Sequence, residues 1–118
     1  MVRVKDLARE IANQVEQYTK DVEKNVHEAK EEVAKKAVTS LKQDSPKLSG
    51  KYRRGWRIKE VGDEVIIHNP KHYQLTHLLE HGHAKAKGGR VPAHPHIRPV
   101  EETAVREYMR KVERAIRQ

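Results

Sequence analysis

Histidine is the residue type in this sequence that most invites chemistry, with eight among 118 residues. Two pairs have the form His-X-His, namely His81 with His83 and His94 with His96. Metal sites on helices usually place their ligands four residues apart, and structural zinc sites usually recruit cysteine. This chain has no cysteine, and no acidic residue lies inside either pair. We therefore expect no required metal, and we interpret the pairs as polar aromatic groups for packing and interfaces.

Hydrolytic chemistry would need a nucleophile beside a base, or two carboxylates in one pocket. Glu80 and His81 could form half of a dyad, but no strand-turn-helix elbow surrounds a nearby hydroxyl residue. The run Gly88-Gly89-Arg90 precedes a proline-rich extended segment, whereas a phosphate-binding loop must lead into a helix. The sequence predicts no catalytic residue and no cofactor.

The positive charge of the chain is concentrated in its middle. Of the net charge of +8, residues 46–100 contribute eleven basic and four acidic residues, which is +7. Such a segment can bind nucleic acid phosphates or an acidic protein, or it can face water. With Tyr52 and Trp56 as stacking groups, the alternative function is a small basic nucleic-acid-binding module. Charges that guard a hairpin edge give the same composition, and no helix-turn-helix motif is present. The basic residues of this stretch are Lys47, Lys51, Arg53, Arg54, Arg57 and Lys59.

A long helix is predicted at the amino-terminal end. From Leu7 to Leu41 there is no glycine or proline, and apolar or semi-apolar residues recur in steps of four and three, which marks one face of a helix. About 35 helical residues span roughly 52 Å, whereas a compact domain of this size is only about 35 Å across. We therefore expect one end of the helix to project and to pack on a neighbouring subunit.

The segment after Pro46 changes type. Residues 54–61 alternate in polarity, Gly62-Asp63 forms a turn and residues 64–68 are a β-branched run, which together predict a β-hairpin. A short helix follows, with Tyr73 and Leu79 as core contacts. Residues 82–90 contain three glycines and nothing to bury, which favours a mobile loop.

The sequence thus predicts an α+β fold in one domain, residues 1–118. Residues 1–44 form the long helix, residues 45–100 the hairpin, short helix and mobile loop, and residues 101–118 a carboxyl-terminal helix. The small antiparallel β-sheet, consisting of the hairpin and an edge strand from the proline-rich segment, packs against both terminal helices. Only 36% of the residues are apolar, so the core is expected to be thin. No run of about 18 apolar residues occurs, so no membrane role is expected and the chain is interpreted as cytoplasmic.

An ordered series of short motifs runs from residue 45 to about residue 105. Its members are Ser45-Pro46, Leu48-Ser49-Gly50, Tyr52 to Trp56, Asn69-Pro70, His72-Tyr73, Leu79 to His83, Gly88 to Pro92 and Pro95 to Pro99. This order resembles the small tail-component family of siphophages, also described as minor tail, tail-completion or head-tail joining proteins. The sequence departs from the commoner pattern at its His-X-His pairs and in a Gly-Lys-rich insertion between Glu80 and Pro92.

The resemblance implies a non-enzymatic structural protein of the virion, assembled in the bacterial cytoplasm. It implies a ring of six copies between the phage tail-tube and head-connector proteins, with no cofactor and only incidental contact with nucleic acid. The long loop would reach a neighbouring subunit. The candidate partner-binding residues are His81, His83, Lys85, Lys87, Arg90, His94 and His96.

Overall fold

The computed structural model describes residues 3–47 and 50–117 and confirms the α+β class. Leu48 and Ser49 of the predicted motif series lie outside these residues. In chain order the elements are α1 (Val4–Asp44), α2 (Lys51–Arg54), β1 (Arg57–Val61), β2 (Glu64–His68), α3 (Tyr73–His81), β3 (His83–Ala84), β4 (Arg90–Val91) and α4 (Ile97–Arg117). None of the helices within the described ranges is long and apolar enough to span a membrane.

Helix α1 is continuous over 41 residues and gives the subunit its elongated shape, 86 by 21 by 20 Å. Helix α4 lies antiparallel along it, held in part by ion pairs of Lys36 with Glu107 at 2.8 Å and of Lys111 with Glu32 at 2.7 Å. The predicted projection of one helix end is confirmed, because α4 ends near Tyr18 and α1 continues beyond it. Contact of the projecting end with a neighbour stays a prediction.

The apolar core is small and lies where α1, α2 and α4 meet. It consists of Ala37, Leu41, Tyr52, Trp56 and Val100, with partly buried side chains of β2 and α3 packed against it. The prediction that Leu79 contacts the core is confirmed. The same prediction for Tyr73 is wrong, since 68% of that residue is exposed at the start of α3.

The predicted hairpin is confirmed, with β1 and β2 paired antiparallel from Arg57 opposite His68 to Val61 opposite Glu64. The expected edge strand from the proline-rich segment does not join it. Its first residues form β4, which pairs only with β3 in a second two-stranded sheet. Three prolines in residues 90–99 remove backbone donors, so this segment cannot extend a ladder on the hairpin.

Helix α4 begins at Ile97, four residues before the predicted boundary, and Pro99 lies in its first turn as expected. Among the apolar residues of α4, Val100 is buried, whereas Ile116 is 54% exposed. The difference arises because α1 covers one side of α4 and leaves its second apolar side open.

Residues 82–90 are not a structureless loop. They form a short β-ribbon in which the Lys85 amide donates to the Gly89 carbonyl at 2.9 Å. Gly82 leads into it with a φ of 73°, and a Cβ at this position would lie 2.7 Å from the carbonyl oxygen of Val91. Glycine is therefore required at the turn from α3 into β3. Whether the ribbon is mobile stays a prediction.

The placement of the small core can be tested by replacing leucine with alanine at one buried and one exposed site. We expect Leu41→Ala to lower the free energy of unfolding by about 3 kcal/mol, because Leu41 is 3% exposed in the centre of the core. Leu78→Ala is the matched control, because 39% of Leu78 is exposed, and it should cost less than about 1 kcal/mol. Urea unfolding at one protein concentration measures both, and equal losses would contradict this placement of the core.

Candidate functional site

A buried chain of polar side chains lies beneath the apolar core and joins α2, α3 and α4. The hydroxyl of Tyr52, a residue only 1% exposed, lies 2.6 Å from Nε2 of His96 and 3.1 Å from Oγ1 of Thr76. Burial raises the pKa of Tyr52, so its hydroxyl keeps its proton. The single O–H donates either to the imidazole or to Thr76, which in turn donates to the His72 carbonyl.

A second group of buried hydrogen bonds lies at the carboxyl end of α1. Ser45 is fully buried, and its hydroxyl donates to the Leu41 carbonyl while accepting the indole N–H of Trp56 at 2.9 Å. The Nε of Arg53 donates to the Ser45 carbonyl at 2.6 Å. The end of the long helix is thus fixed to α2 through hydrogen bonds that would be costly to leave unmade in the interior.

Asn69 connects the hairpin to the same centre. It is 3% exposed, and its side-chain N–H donates to the Tyr52 carbonyl at 2.9 Å. The chain passes so closely that a Cβ on Gly55 would lie 2.6 Å from the Asn69 side-chain oxygen. A side chain at position 55 would collide with that of Asn69, which explains on physical grounds why a glycine precedes Trp56.

Glu80 of α3 binds the amino end of α4. Its Oε1 accepts the backbone N–H groups of His96 at 2.9 Å and Ile97 at 3.0 Å, and Oε2 accepts that of Arg98 at 3.2 Å. The next residue, Pro99, has no N–H to satisfy. All the donors that a helix leaves unpaired at its start are therefore accounted for by one carboxylate and one proline.

The electrostatics of Glu80 follow from this geometry. Burial of its carboxyl opposes ionisation, but the three backbone N–H groups and the nearby His96 ring together outweigh it. The pKa of Glu80 therefore lies below its ordinary value. The Nδ1 of His96 is 3.3 Å from Oε1, and it also contacts the His94 carbonyl at 2.8 Å.

The motif residues predicted from the sequence meet in this buried centre, and they bond to one another. Ser45, Tyr52, Asn69, Glu80 and His96 each have a defined partner within the fold. Among the described residues, no group of three histidine, aspartate or glutamate side chains could hold a metal ion. These hydrogen bonds connect α1, α2, α3 and the start of α4, so the arrangement positions helices.

The candidate partner-binding residues divide into two sets. His96 is 2% exposed, so its assignment to a contact surface is wrong; the hydrogen bond with Tyr52 and the neighbouring carboxylate draw it into the core. His83 is half-buried at the base of the ribbon. The others are exposed on the ribbon and its flanks, namely His81, Lys85, Lys87, Arg90 and His94.

The ribbon carries charge of one sign only. Between His81 and Ile97 there are three basic residues and no acidic residue. Two contacts hold its ends: Gly82 turns the chain away from α3, and the His94 amide donates to the Leu79 carbonyl at 2.6 Å. Lys85, Lys87 and Arg90 therefore lie on one short segment whose two ends are attached to α3.

The alternative function, nucleic-acid binding, loses its predicted stacking groups. Tyr52 and Trp56 are 1% and 3% exposed, and their rings lie edge to face with centroids 5.7 Å apart. Neither ring can accept a base without disrupting the core. The positive charge of the middle segment is the feature that still favours nucleic-acid binding.

An apolar surface that the sequence analysis missed lies on the open side of α4. A groove of about 440 Å³ separates α4 from β2, and Tyr73 and Val105 stand at its edge. Further along the helix, Met109 is 65% and Ile116 is 54% exposed. The steps of four and seven that separate Val105, Met109 and Ile116 place them on one face of a helix, which is the signal in the sequence.

Comparison with known proteins identifies a family. A family model described as "Bacteriophage HK97-gp10, putative tail-component" matches residues 9–82, which is 74 of the 118 residues. The matched range covers most of α1, the hairpin and α3, and it includes Glu80. No curated protein and no solved structure matches the chain.

The capping role of Glu80 gives a test with a defined pH dependence. Glu80→Gln should destabilise the protein by about 1 to 2 kcal/mol at neutral pH, because a neutral amide accepts the helix N–H groups more weakly. A lowered folded-state pKa stabilises the fold above the ordinary glutamate value of about 4.3, and this stabilisation is lost as pH falls through the folded pKa. The difference between the variant and the wild type should therefore shrink in acid.

Urea unfolding at neutral and at acid pH measures this difference. Glu101→Gln is the control, because Glu101 is an exposed residue of α4, the helix whose start Glu80 caps. A Glu80→Gln deficit that is constant with pH, or matched by Glu101→Gln, would contradict the role assigned to the carboxylate.

Proposed function

Since the chain belongs to the HK97-gp10-like family of phage tail components, we propose that it acts at the head-proximal end of the tail, in tail completion or head-tail joining. The family match carries the proposal. The protein is a structural component of a virion, and its work is to bind other tail proteins. The subunit assembles in the cytoplasm of the bacterial host, and its partners are further copies of itself, the tail tube and the head connector.

The shape of the subunit supports a structural role. The buried polar groups of the subunit bond to one another and hold its helices in place, and we interpret its exposed features as contact surfaces. These surfaces are the cationic ribbon, the open apolar side of α4 and the projecting end of α1. A small chain with three separated contact surfaces suits a component that joins two larger structures.

The ribbon is the proposed contact element. Its three basic side chains are exposed and contribute nothing to the core, and the ends of the ribbon are attached to α3 by the turn at Gly82 and the bond from His94. A concentrated positive charge favours a partner surface rich in aspartate and glutamate and speeds its encounter. His81 and His94 flank the charges and would lie at the rim of the contact. In this arrangement the ribbon of each subunit reaches the next copy of a ring, of six subunits in the form that the family resemblance implies.

We expect that replacing Lys85, Lys87 and Arg90 by glutamate leaves folding intact and prevents joining. Exposed substitutions usually shift stability by less than about 0.5 kcal/mol, so helix content and melting temperature should stay near those of the wild type. In a complementation assay with a phage that lacks this gene product, the variant should yield full heads and separate tails, because reversed charge repels an acidic partner.

The control variant carries the same charge change elsewhere. Replacing Lys24, Lys35 and Lys42 by glutamate alters three exposed residues of α1, on the side turned away from its apolar stripe. This control should restore titre. If the ribbon variant also restores normal titre, the ribbon only connects α3 to α4 and does not bind a partner. If the control variant fails equally, the loss of titre is caused by the change in net charge and not by the ribbon.

A further inference from the structure

The amino-terminal part of α1 carries an apolar stripe that nothing in the described chain covers. The Tyr18 hydroxyl donates to the Ile116 carbonyl, which marks the level at which α4 ends. Amino-terminal to it, Val4 is 84%, Leu7 51%, Ile11 55% and Val15 59% exposed. Contiguous exposed apolar side chains on one helix face indicate an interaction surface.

We propose that this stripe is covered by the same stripe of a second copy, running antiparallel, with Ile11 opposite its own counterpart. The contact is isologous and closes with two subunits. It goes beyond the proposed function and does not depend on it.

The spacing of the stripe is symmetric about Ile11. Its members are Val4, Leu7, Ile11, Val15 and Tyr18, separated by steps of three, four, four and three. In an antiparallel pair centred on Ile11, Leu7 of each copy lies opposite Val15 of the other, and Val4 lies opposite Tyr18. Both helices therefore present apolar side chains at every level of the contact. In a parallel pair each residue would lie opposite its own counterpart whatever the spacing, so the symmetry about Ile11 matters only for an antiparallel pair.

The uncovered length and the helix directions fit a second copy. Residues 4–17 project beyond α4, which is about 21 Å of helix, and an antiparallel partner offers the same length. The partner's α1 would run in the same direction as α4 and begin where α4 ends. The amino end of one helix then meets the carboxyl end of the other, and their dipoles are complementary there.

Charge complements the same register. Arg3 and Asp21 lie on one flank of the stripe, each about 80° from Ile11 around α1. In the antiparallel pair, Arg3 of each copy approaches Asp21 of the other. A parallel pair would keep these two residues far apart, so this charge pair favours the antiparallel orientation.

The contact is small compared with permanent interfaces, which bury about 1,600 Å² or more. A helix pair of this length therefore gives a weak, concentration-dependent dimer with a Kd of roughly micromolar order. A projecting helix that packs on nothing is only marginally stable by itself, so pairing also orders it. Because an isologous contact closes on two copies, it leaves the ribbon free for a cyclic contact.

Cysteine cross-linking tests the register, since the chain has no cysteine of its own. Under mild oxidation, Ile11→Cys should form a disulfide-linked dimer. Asn13→Cys is the control, because Asn13 lies on the opposite face of α1, and it should cross-link at least tenfold less. Equal cross-linking of the two variants would mean random collision and would overturn the proposal.

Orientation is tested by mixing two variants. Leu7→Cys and Val15→Cys should form mixed dimers when combined, identified by a mass tag on one of them, and few dimers when each is oxidised alone. Homodimers of each variant without mixed dimers would show parallel pairing and would overturn the antiparallel register.

Light scattering of the untagged wild type gives the independent measurement. The mass should rise with concentration from 13.7 kDa towards twice that value. Ile11→Glu should abolish the rise by placing two carboxylates opposite each other, whereas Asn13→Glu should leave it unchanged. A wild type that stays at 13.7 kDa up to millimolar concentration, or a rise that Ile11→Glu does not reduce, would overturn the proposal. None of these results depends on phage complementation, so the failure of either proposal is seen separately.

Discussion

The position of α4 depends on one carboxylate. Glu80 accepts the first three backbone N–H groups of that helix, and Pro99 supplies no fourth. The helix can therefore begin without leaving its first backbone donors unpaired. Once α4 is placed, Val100 completes the core around Leu41 and Trp56, and the His96 ring reaches the Tyr52 hydroxyl. The apolar core is too small to position three helices alone, and the polar centre supplies the directional contacts that it lacks.

The elements that repeat along the chain could be predicted from the sequence, and the contacts between distant segments could not. Steps of four and three without glycine or proline marked α1, and alternation around Gly62 marked the hairpin. Helix caps are ordinarily recognised from residues a few positions away, but Glu80 caps a helix that begins 17 residues later. His96 belongs to a His-X-His pair that looks exposed, and only the fold shows that its ring is enclosed. Strands of two residues, such as β3 and β4, are too short to produce a periodic signal.

The exposed apolar residues have a common cause. A helix of 41 residues is longer than its companion of 21, so one end of α1 lacks a covering helix. Helix α4 in turn has two apolar sides, and α1 covers one of them. Burial in an isolated subunit is thus incomplete at both places, and the free energy that remains available is released only when copies or partners meet.

The way the β-ribbon is attached has a consequence for how such a subunit can diversify. Glu80 lies just before the ribbon and its backbone partners lie just after it, and the bond from His94 to Leu79 closes the same gap. The two ends are therefore held together whatever lies between them, and lengthening the excursion costs only the slowly growing entropy of loop closure. Insertions and changes of charge can accumulate in this segment while the helices keep their places. Substitutions and insertions within about ten residues can in this way adapt the subunit to a new binding partner.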